Sequence, residues 1–123
     1  MKSAALMAVA LLTLAGCATV GEFSYIDGRR YFQSEMNTYS VVVLDIDGKS
    51  YTTNPVLIEP GMRAIRVQGP PTAGFRQGET RTLNLDVKPC TRYYLKAVKE
   101  NPLQQDFTPA VDYQEPISNC LGR

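Results

Sequence analysis

The chain has 123 residues, of which 44% are hydrophobic and 20% are charged, a composition typical of a folded globular domain. Its 13 basic and 12 acidic residues leave a formal net charge of +1, which argues against nucleic acid as a partner. It contains no histidine, and this excludes a histidine-based catalytic triad and a histidine-containing metal cluster.

Residues 1–16 have the pattern of an export signal. Lys2 precedes an uncharged apolar run over residues 4–14, which has the length of the hydrophobic region of a secretory signal. The run is too short to cross a bilayer, because a transmembrane helix needs about 20 apolar residues. We therefore predict a helical signal peptide that is removed from the mature protein.

The run ends in Leu14-Ala15-Gly16-Cys17, which resembles the lipobox of bacterial lipoproteins. The resemblance implies that a dedicated signal peptidase recognises Leu14, Ala15 and Gly16 and cuts before Cys17. It also implies that Cys17 carries a covalent diacylglycerol and an N-acyl chain, and no other cofactor is expected. The alternatives are an uncleaved anchor helix and ordinary cleavage without lipid.

Lipidation at Cys17 predicts a membrane anchor, because two or three acyl chains on one residue hold a small domain at a bilayer. Residues 17–24 are then a lipidated tether. In the sorting rule of enteric-type bacteria an aspartate after the cysteine signals retention at the inner membrane, and Ala18 stands here instead. That resemblance implies the periplasmic leaflet of the outer membrane in a bacterial cell envelope.

The other two cysteines, Cys90 and Cys120, are predicted to form a disulfide. An exported chain enters an oxidising compartment, where disulfides persist. A bond between Cys90 and Cys120 closes the loop of residues between them. Closing a loop of that length raises the free energy of unfolding by roughly 3 to 4 kcal/mol in the chain-entropy model. Free or metal-binding thiols are the alternative, although two thiolates alone do not complete a zinc site.

The first strands of the mature chain are predicted from β-branched runs and turn residues. Residues 39–46 are rich in β-branched side chains and end at Asp47-Gly48, a hairpin turn signal. Residues 56–59 and 62–68 flank the Pro60-Gly61 turn, and the second of these segments alternates apolar and polar residues. Both are predicted as strands.

The clearest alternation follows in residues 80–87, which predict a half-buried antiparallel strand. Its apolar face consists of Leu83, Leu85 and Val87. Residues 92–99 predict another strand, for which a short helix is the alternative; its apolar face consists of Tyr93, Leu95 and Ala97. Residues 101–116 contain three prolines and are predicted as an extended loop with at most one edge strand.

These elements predict an all-β fold, a small antiparallel β-sandwich of about six to seven strands. A single domain is expected over residues 25–123, because the mature chain is close to the commonest domain size. The predicted disulfide ties its C-terminal tail back to the domain.

Four short segments combine turns with an outgoing valine-containing strand: Asp47-Gly48-Lys49, Asn54-Pro55, Pro60-Gly61 and Arg63-Ala64-Ile65-Arg66-Val67. This pattern resembles PEGA-type and carboxypeptidase-regulatory-like β-sandwich modules. The four-letter signature of the first family is absent in literal form, and residues 58–61 stand where it would fall. Residues 90–94 and 112–120 are similar to small bacterial lipoproteins with a disulfide-tied tail. The resemblance implies a noncatalytic module.

The search for catalytic chemistry is mostly negative. Asp45 and Asp47 are the one carboxylate pair that suggests acid-base catalysis or the start of a calcium loop. No later acidic ligand follows at the right distance, and the pair ends at Gly48, so we interpret both residues as turn acceptors and solvated charge. No catalytic residue and no metal ligand is predicted.

Positive charge is concentrated in residues 62–99, where eight basic residues stand against two acidic ones. If they share a face, it forms a candidate binding surface that includes Arg63, Arg66, Arg92, Tyr94 and Lys96. Pairing with acidic residues across neighbouring strands is the favoured alternative. Tyr93 and Tyr94 suggest a stacking platform, although strand alternation places one tyrosine in the core and one at the surface.

The sequence therefore predicts a membrane-anchored, periplasm-facing lipoprotein without enzymatic activity. Its expected role is that of an envelope structural or protein-interaction module with an envelope protein as its partner. The alternative, from a different class, is a glycan-binding protein or an inhibitor of a periplasmic enzyme that acts through the arginine and tyrosine surface.

Overall fold

A computed structural model describes residues 22–72, 74–118 and 120, which form nine β-strands and no helix. The strands are β1 (Ser24–Asp27), β2 (Thr38–Tyr39), β3 (Val42–Ile46), β4 (Lys49–Ser50), β5 (Val56–Ile58), β6 (Gly61–Gln68), β7 (Thr80–Val87), β8 (Thr91–Val98) and β9 (Thr108–Pro116). Seven of them have three or more residues, and the all-β prediction is confirmed. The predicted signal peptide and Cys17 lie outside the described residues.

The strands form two sheets. In sheet I, β8 pairs with β9 along one edge, while β1 and β2 share its other edge and β5 lies beside β1. Sheet II has the order β4-β3-β6-β7. Most pairs are antiparallel, as predicted, but β1 and β8 run parallel. A parallel pair needs a crossover connection, and here the chain passes through sheet II between the two strands.

A single apolar core lies between the sheets. Sheet II supplies the fully buried Ile65 and Val67, and sheet I supplies Ile26, Leu95 and the ring of Tyr93. The Tyr93 hydroxyl accepts a hydrogen bond from the Lys88 backbone N–H at 3.0 Å, which satisfies its polar end inside the core.

The predicted alternation of β7 and β8 is present. On β7 every second residue is exposed, and on β8 the side chains of Tyr93, Leu95 and Ala97 are buried together. The helical alternative for this segment is therefore excluded. Asp47 and Gly48 have φ values of 53° and 84°, which are the two positive angles of a type I′ hairpin turn between β3 and β4.

The edge strand that the sequence allowed within residues 101–116 is present, and it takes up the second half of that segment. Residues 108–116 form β9, the longest strand, which pairs with β8 over its whole length. Because β9 is an edge strand, Pro109 and Pro116 cost it no hydrogen bond to a further neighbour. The prolines therefore marked an edge rather than a loop.

Ser24, which the sequence placed in the tether, is fully buried and begins β1. Its hydroxyl donates to the Lys88 carbonyl and accepts from the Thr91 backbone N–H at 3.1 Å. These bonds connect the start of the domain to the turn between β7 and β8.

Cys90 and Cys120 lie at bonding distance, with their Cα atoms 5.5 Å apart, and form the predicted disulfide. The Cys90 N–H donates to the Phe23 carbonyl at 3.0 Å, and the Ile117 N–H donates to the Cys90 carbonyl at 2.8 Å. The disulfide therefore holds the C-terminal tail against the first residues of the domain.

Reduction of this disulfide is expected to lower the free energy of unfolding by about 3 kcal/mol, because the unfolded chain regains loop entropy. Urea unfolding of oxidised and reduced protein measures the difference, and the double variant Cys90→Ala/Cys120→Ala should match the reduced protein. Equal urea midpoints for oxidised and reduced protein would contradict the prediction.

Candidate functional site

Four aromatic side chains pack against one another on the outer face of sheet I: Tyr31, Phe32, Tyr94 and Tyr113, which we call the aromatic cluster. Tyr94 and Tyr113 are cross-strand neighbours on β8 and β9. Tyr31 lies at the centre: its ring stacks on Tyr113 at 4.1 Å between centroids and meets Phe32 and Tyr94 edge-on at 5.1 and 5.2 Å. Such geometries stabilise aromatic pairs beyond the area they bury.

Tyr31 and Phe32 come from the segment between β1 and β2, and Asp112 holds this segment against β9. The Oδ2 atom of Asp112 accepts hydrogen bonds from the backbone N–H groups of Tyr31 at 2.6 Å and Phe32 at 2.8 Å. The Asp112 side chain is only 1% exposed, and its Oδ1 atom lies 3.3 Å from Lys96 Nζ. Burial alone would raise the pKa of Asp112, but the two N–H donors and the lysine hold it below its usual value.

A β-bulge explains why Asp112 reaches this face. Tyr94 pairs with Tyr113, whereas Leu95 pairs with Val111, so Asp112 is an extra residue on β9. In a regular strand Asp112 and Tyr113 would point to opposite faces. The bulge turns the carboxylate outward beside Tyr113, a common way in which bulges redirect a side chain.

A second buried carboxylate, Asp27, lies at the end of β1 on the same face. Its side chain is fully buried, and Oδ2 accepts a hydrogen bond from Arg92 at 2.6 Å. Asn54 Nδ2 and the Arg29 backbone N–H donate to Oδ1 at 3.0 and 2.9 Å. Burial raises the pKa of Asp27, but these donors outweigh it and lower the pKa to about 2.

Arg92 connects this carboxylate to the aromatic cluster. Its guanidinium carbon lies 5.1 Å from the ring centroid of Tyr94 and 5.9 Å from that of Tyr25, which are cation-π distances. The Tyr94 hydroxyl in turn donates to Glu115 at 2.9 Å. Lys96 pairs with Glu35 at 3.1 Å as well as with Asp112. The face is thus rich in charge, and its two central cations, Arg92 and Lys96, each contact a carboxylate.

The five residues of the predicted binding surface do not lie on one face. Arg92, Tyr94 and Lys96 lie together on the outer face of sheet I. Arg66 lies on the outer face of sheet II, where it pairs with Asp45 at 2.6 Å. Arg63 lies at one end of the sandwich beside Asp47 at 3.0 Å. The separation arises because β6 and β8 belong to different sheets.

Most basic residues of segment 62–99 pair with acidic residues, which is the alternative that the sequence analysis favoured over a shared binding face. Five of the segment's eight basic residues form ion pairs with aspartate or glutamate: Arg63, Arg66, Arg81, Arg92 and Lys96. The Tyr93 and Tyr94 platform is not formed, because Tyr93 is in the core. The sequence reasoning missed Tyr31, Phe32 and Tyr113, which come from segments that only the fold brings together.

Asp45 and Asp47 are each engaged by a different arginine. Asp47 also accepts a hydrogen bond from the Ala64 backbone N–H at 2.9 Å, and this bond and Arg63 lower its pKa. Asp47 is therefore an acceptor in the turn, as interpreted, whereas Asp45 lies on β3 in an ion pair with Arg66 and is neither a turn acceptor nor a solvated charge. Within the described ranges, no group of three or more metal-ligating side chains is present, and no helix is long and apolar enough to cross a membrane.

A shallow cleft of about 590 Å³ opens at the end of the sandwich where the described chain begins. Its lining is mixed in charge and includes Glu22, Phe23, Lys49, Tyr51, Glu59 and Arg63. Arg63 is held there by the carbonyls of Glu59 and Pro60, both at 3.0 Å.

Comparison of the chain with protein-family models, curated proteins and solved structures finds no match. The resemblance of residues 47–67 to PEGA-type modules therefore stays a prediction.

Asp27 is expected to stabilise the fold in a pH-dependent way. Its pKa is lowered in the folded state, so its contribution is present above the usual carboxyl pKa of 3.8 and is lost as the pH falls through about 2. The free energy of unfolding, measured with urea, should fall between pH 5 and pH 2 in both proteins. The fall should be about 2 kcal/mol larger for the wild type than for Asp27→Asn.

The exposed Asp86→Asn variant is the control for this measurement, and its acid-induced loss should match that of the wild type. If Asp27→Asn loses as much stability as the wild type between the two pH values, the carboxylate is not held in its charged form by Arg92 and Asn54.

Proposed function

We propose that this protein is a membrane-anchored, periplasm-facing lipoprotein that acts as a noncatalytic interaction module of the bacterial cell envelope. Acyl chains on Cys17 hold the β-sandwich at the periplasmic leaflet of the outer membrane. The aromatic cluster on sheet I is the surface that contacts an envelope protein.

The observation that supports this proposal is the exposure of an ordered aromatic pair. Tyr31 and Phe32 are 45% and 46% exposed, although Asp112 fixes their backbone through two short hydrogen bonds. A fold gains little by ordering aromatic side chains that remain half in water. Rigid aromatic side chains are the residues that contribute most at protein interfaces, because little entropy is lost when they bind.

The ion pairs around the aromatic cluster also limit the kind of partner that this face can bind. Arg92 is matched by Asp27, and Lys96 by Glu35 and Asp112. The face therefore presents little net charge and selects a partner by apolar and hydrogen-bonding contacts rather than by electrostatic attraction.

The low net charge of this face also supports a second candidate function, glycan binding. Tyr31 is 45% exposed and is held by the ring of Tyr113, and the apolar face of an uncharged sugar can pack on an exposed aromatic ring of this kind. An enzyme inhibitor would use the same face with a soluble hydrolase as its partner.

Three carboxylates form contacts that hold the fold together, and this supports a noncatalytic role. Asp27, Asp47 and Asp112 each accept a hydrogen bond from a backbone N–H and contact a cationic side chain. Each of the three has a lowered pKa, which is opposite to the raised pKa that a general acid needs.

Lipidation is tested by Cys17→Ser, which removes the acylated thiol. Unprocessed and unlipidated precursor is expected to accumulate, because cleavage depends on the lipidated cysteine. Metabolic labelling with radioactive fatty acid and gel mobility measure both effects. Label that still attaches to the variant would show that Cys17 is not the lipidated residue.

The contact surface is tested by a photocrosslinking side chain at Phe32 in the full-length lipoprotein in native membranes. One stoichiometric adduct with an envelope protein is expected, and Tyr31→Ala should weaken that contact by about 2 kcal/mol, the scale of an aromatic hot spot. The control position is Met62, which is 66% exposed on the outer face of sheet II and should give no such adduct.

Equal adducts at both positions would contradict a specific surface on sheet I. Binding of purified cell-wall glycan that is abolished by Tyr31→Ala, without a protein adduct, would favour the glycan-binding candidate instead. A stoichiometric adduct with a soluble hydrolase would favour the inhibitor.

A further inference from the structure

Sheet II ends in a long and regular edge strand. All eight residues of β7 pair with β6 in one continuous antiparallel register without a bulge. Within the described residues, no other strand pairs with β7. About half of its backbone N–H and C=O groups therefore point away from the sheet, where they can form hydrogen bonds with a further strand.

The other edges of the sandwich are protected against such pairing. β4 has two residues and β5 has three, which are too short to hold another strand. β9 is long, but it contains Pro109 near its start, Pro116 at its end and the bulge at Asp112. Proline, bulges and short length are three of the means by which proteins prevent edge pairing, and β7 has none of these three.

The side chains of β7 are also suited to an added strand. On the outer face Thr80, Thr82 and Asn84 are exposed, short and uncharged, and Asp86 is the one charged residue. On the inner face Leu83 and Leu85 pack against the core but remain partly exposed. A strand placed beside β7 would remove more of these two leucines from water, which is favourable.

We propose that β7 binds β7 of a second copy of this chain, antiparallel and about a two-fold axis near Leu83. The two sheets II then form one continuous eight-stranded sheet. With the axis at Leu83, Thr82 lies opposite Asn84 of the second copy and Thr80 lies opposite its Asp86. Antiparallel pairing therefore separates the two aspartates, whereas parallel pairing in register would place them side by side.

The remaining charge of β7 does not oppose this arrangement. Arg81 forms ion pairs with Asp106 and Glu79 of its own chain, so its charge is already compensated. Ser24 donates to the Lys88 carbonyl just after β7, so the two-fold axis places the two copies of Ser24 at opposite ends of the paired strands. Both anchors reach one membrane when the strands run along its surface. The pairing does not depend on the aromatic cluster, which lies on sheet I.

The register is tested by single cysteines at the exposed positions Thr80, Thr82, Asn84 and Asp86 in the full-length lipoprotein, treated with a short bis-maleimide in native membranes. With a rise of about 3.4 Å per residue, the two copies of residue 82 are offset by about 7 Å along the strand and those of residue 80 by about 20 Å. Crosslinked dimer is therefore expected at 82 and 84, with little at 80 and 86. Equal yields at all four positions would overturn the proposal.

The strength of the contact is tested by Thr82→Lys/Asn84→Lys, which brings lysines of the two copies opposite each other. Sedimentation of the detergent-solubilised lipoprotein is expected to show a dimer dissociation constant at least tenfold higher for this variant than for the wild type. Gln114→Lys adds charge to an exposed position of the other long edge strand and should leave the constant unchanged. A wild type that sediments as a monomer throughout the micromolar range would refute the self-pairing of β7.

Discussion

The buried pair of Asp27 and Arg92 is the interaction on which the arrangement of sheet I depends. It joins the end of β1 to the start of β8, the one parallel pair of strands in the molecule's described part. Removing a carboxylate from water costs several kcal/mol unless hydrogen bonds compensate it, and here Arg92, Arg29 and Asn54 provide them. Because Asn54 Oδ1 also accepts the Gly28 N–H at 2.9 Å, the same cluster directs the chain as it leaves β1. The segment that carries Tyr31 and Phe32 begins at this point.

Asp112 then determines where that segment goes. Its buried carboxylate offers acceptors that must be satisfied, and the two N–H groups of Tyr31 and Phe32 satisfy one oxygen while Lys96 approaches the other. Without the bulge, the carboxylate would point toward the core and the segment would have no partner on β9. The aromatic cluster is therefore a consequence of two buried charges rather than of the apolar residues alone. Loss of the Asp27 carboxylate would leave Arg92 without its ion-pair partner, and loss of the Asp112 carboxylate would leave the N–H groups of Tyr31 and Phe32 without their acceptor.

The features that could be predicted from the sequence are those that local patterns specify. The alternation of residues 80–87, the Asp47-Gly48 turn and the Cys90–Cys120 disulfide need only neighbouring residues or the count of cysteines. The parallel pairing of β1 with β8 could not be predicted, because it depends on which sheet each strand joins. The aromatic cluster could not be predicted either. Strand prediction assumes that side chains alternate between the two faces, and the bulge at Asp112 breaks this alternation. The extent of β9 could not be predicted for a related reason, since prolines in residues 108–116 are compatible either with a loop or with a strand at the edge of a sheet.

The two surfaces proposed to bind partners use different physical means and lie on different sheets. The aromatic cluster offers side chains on the outer face of sheet I, held by buried charge, whereas β7 offers backbone groups at the edge of sheet II. Side-chain recognition depends on the identity of a few residues, while edge pairing depends on the regularity of a whole strand. A single substitution in one surface therefore leaves the other intact, because the apolar core between the sheets keeps both in place. If the domain is anchored at a membrane as proposed, this separation allows a second copy and the proposed envelope partner to bind at the same time.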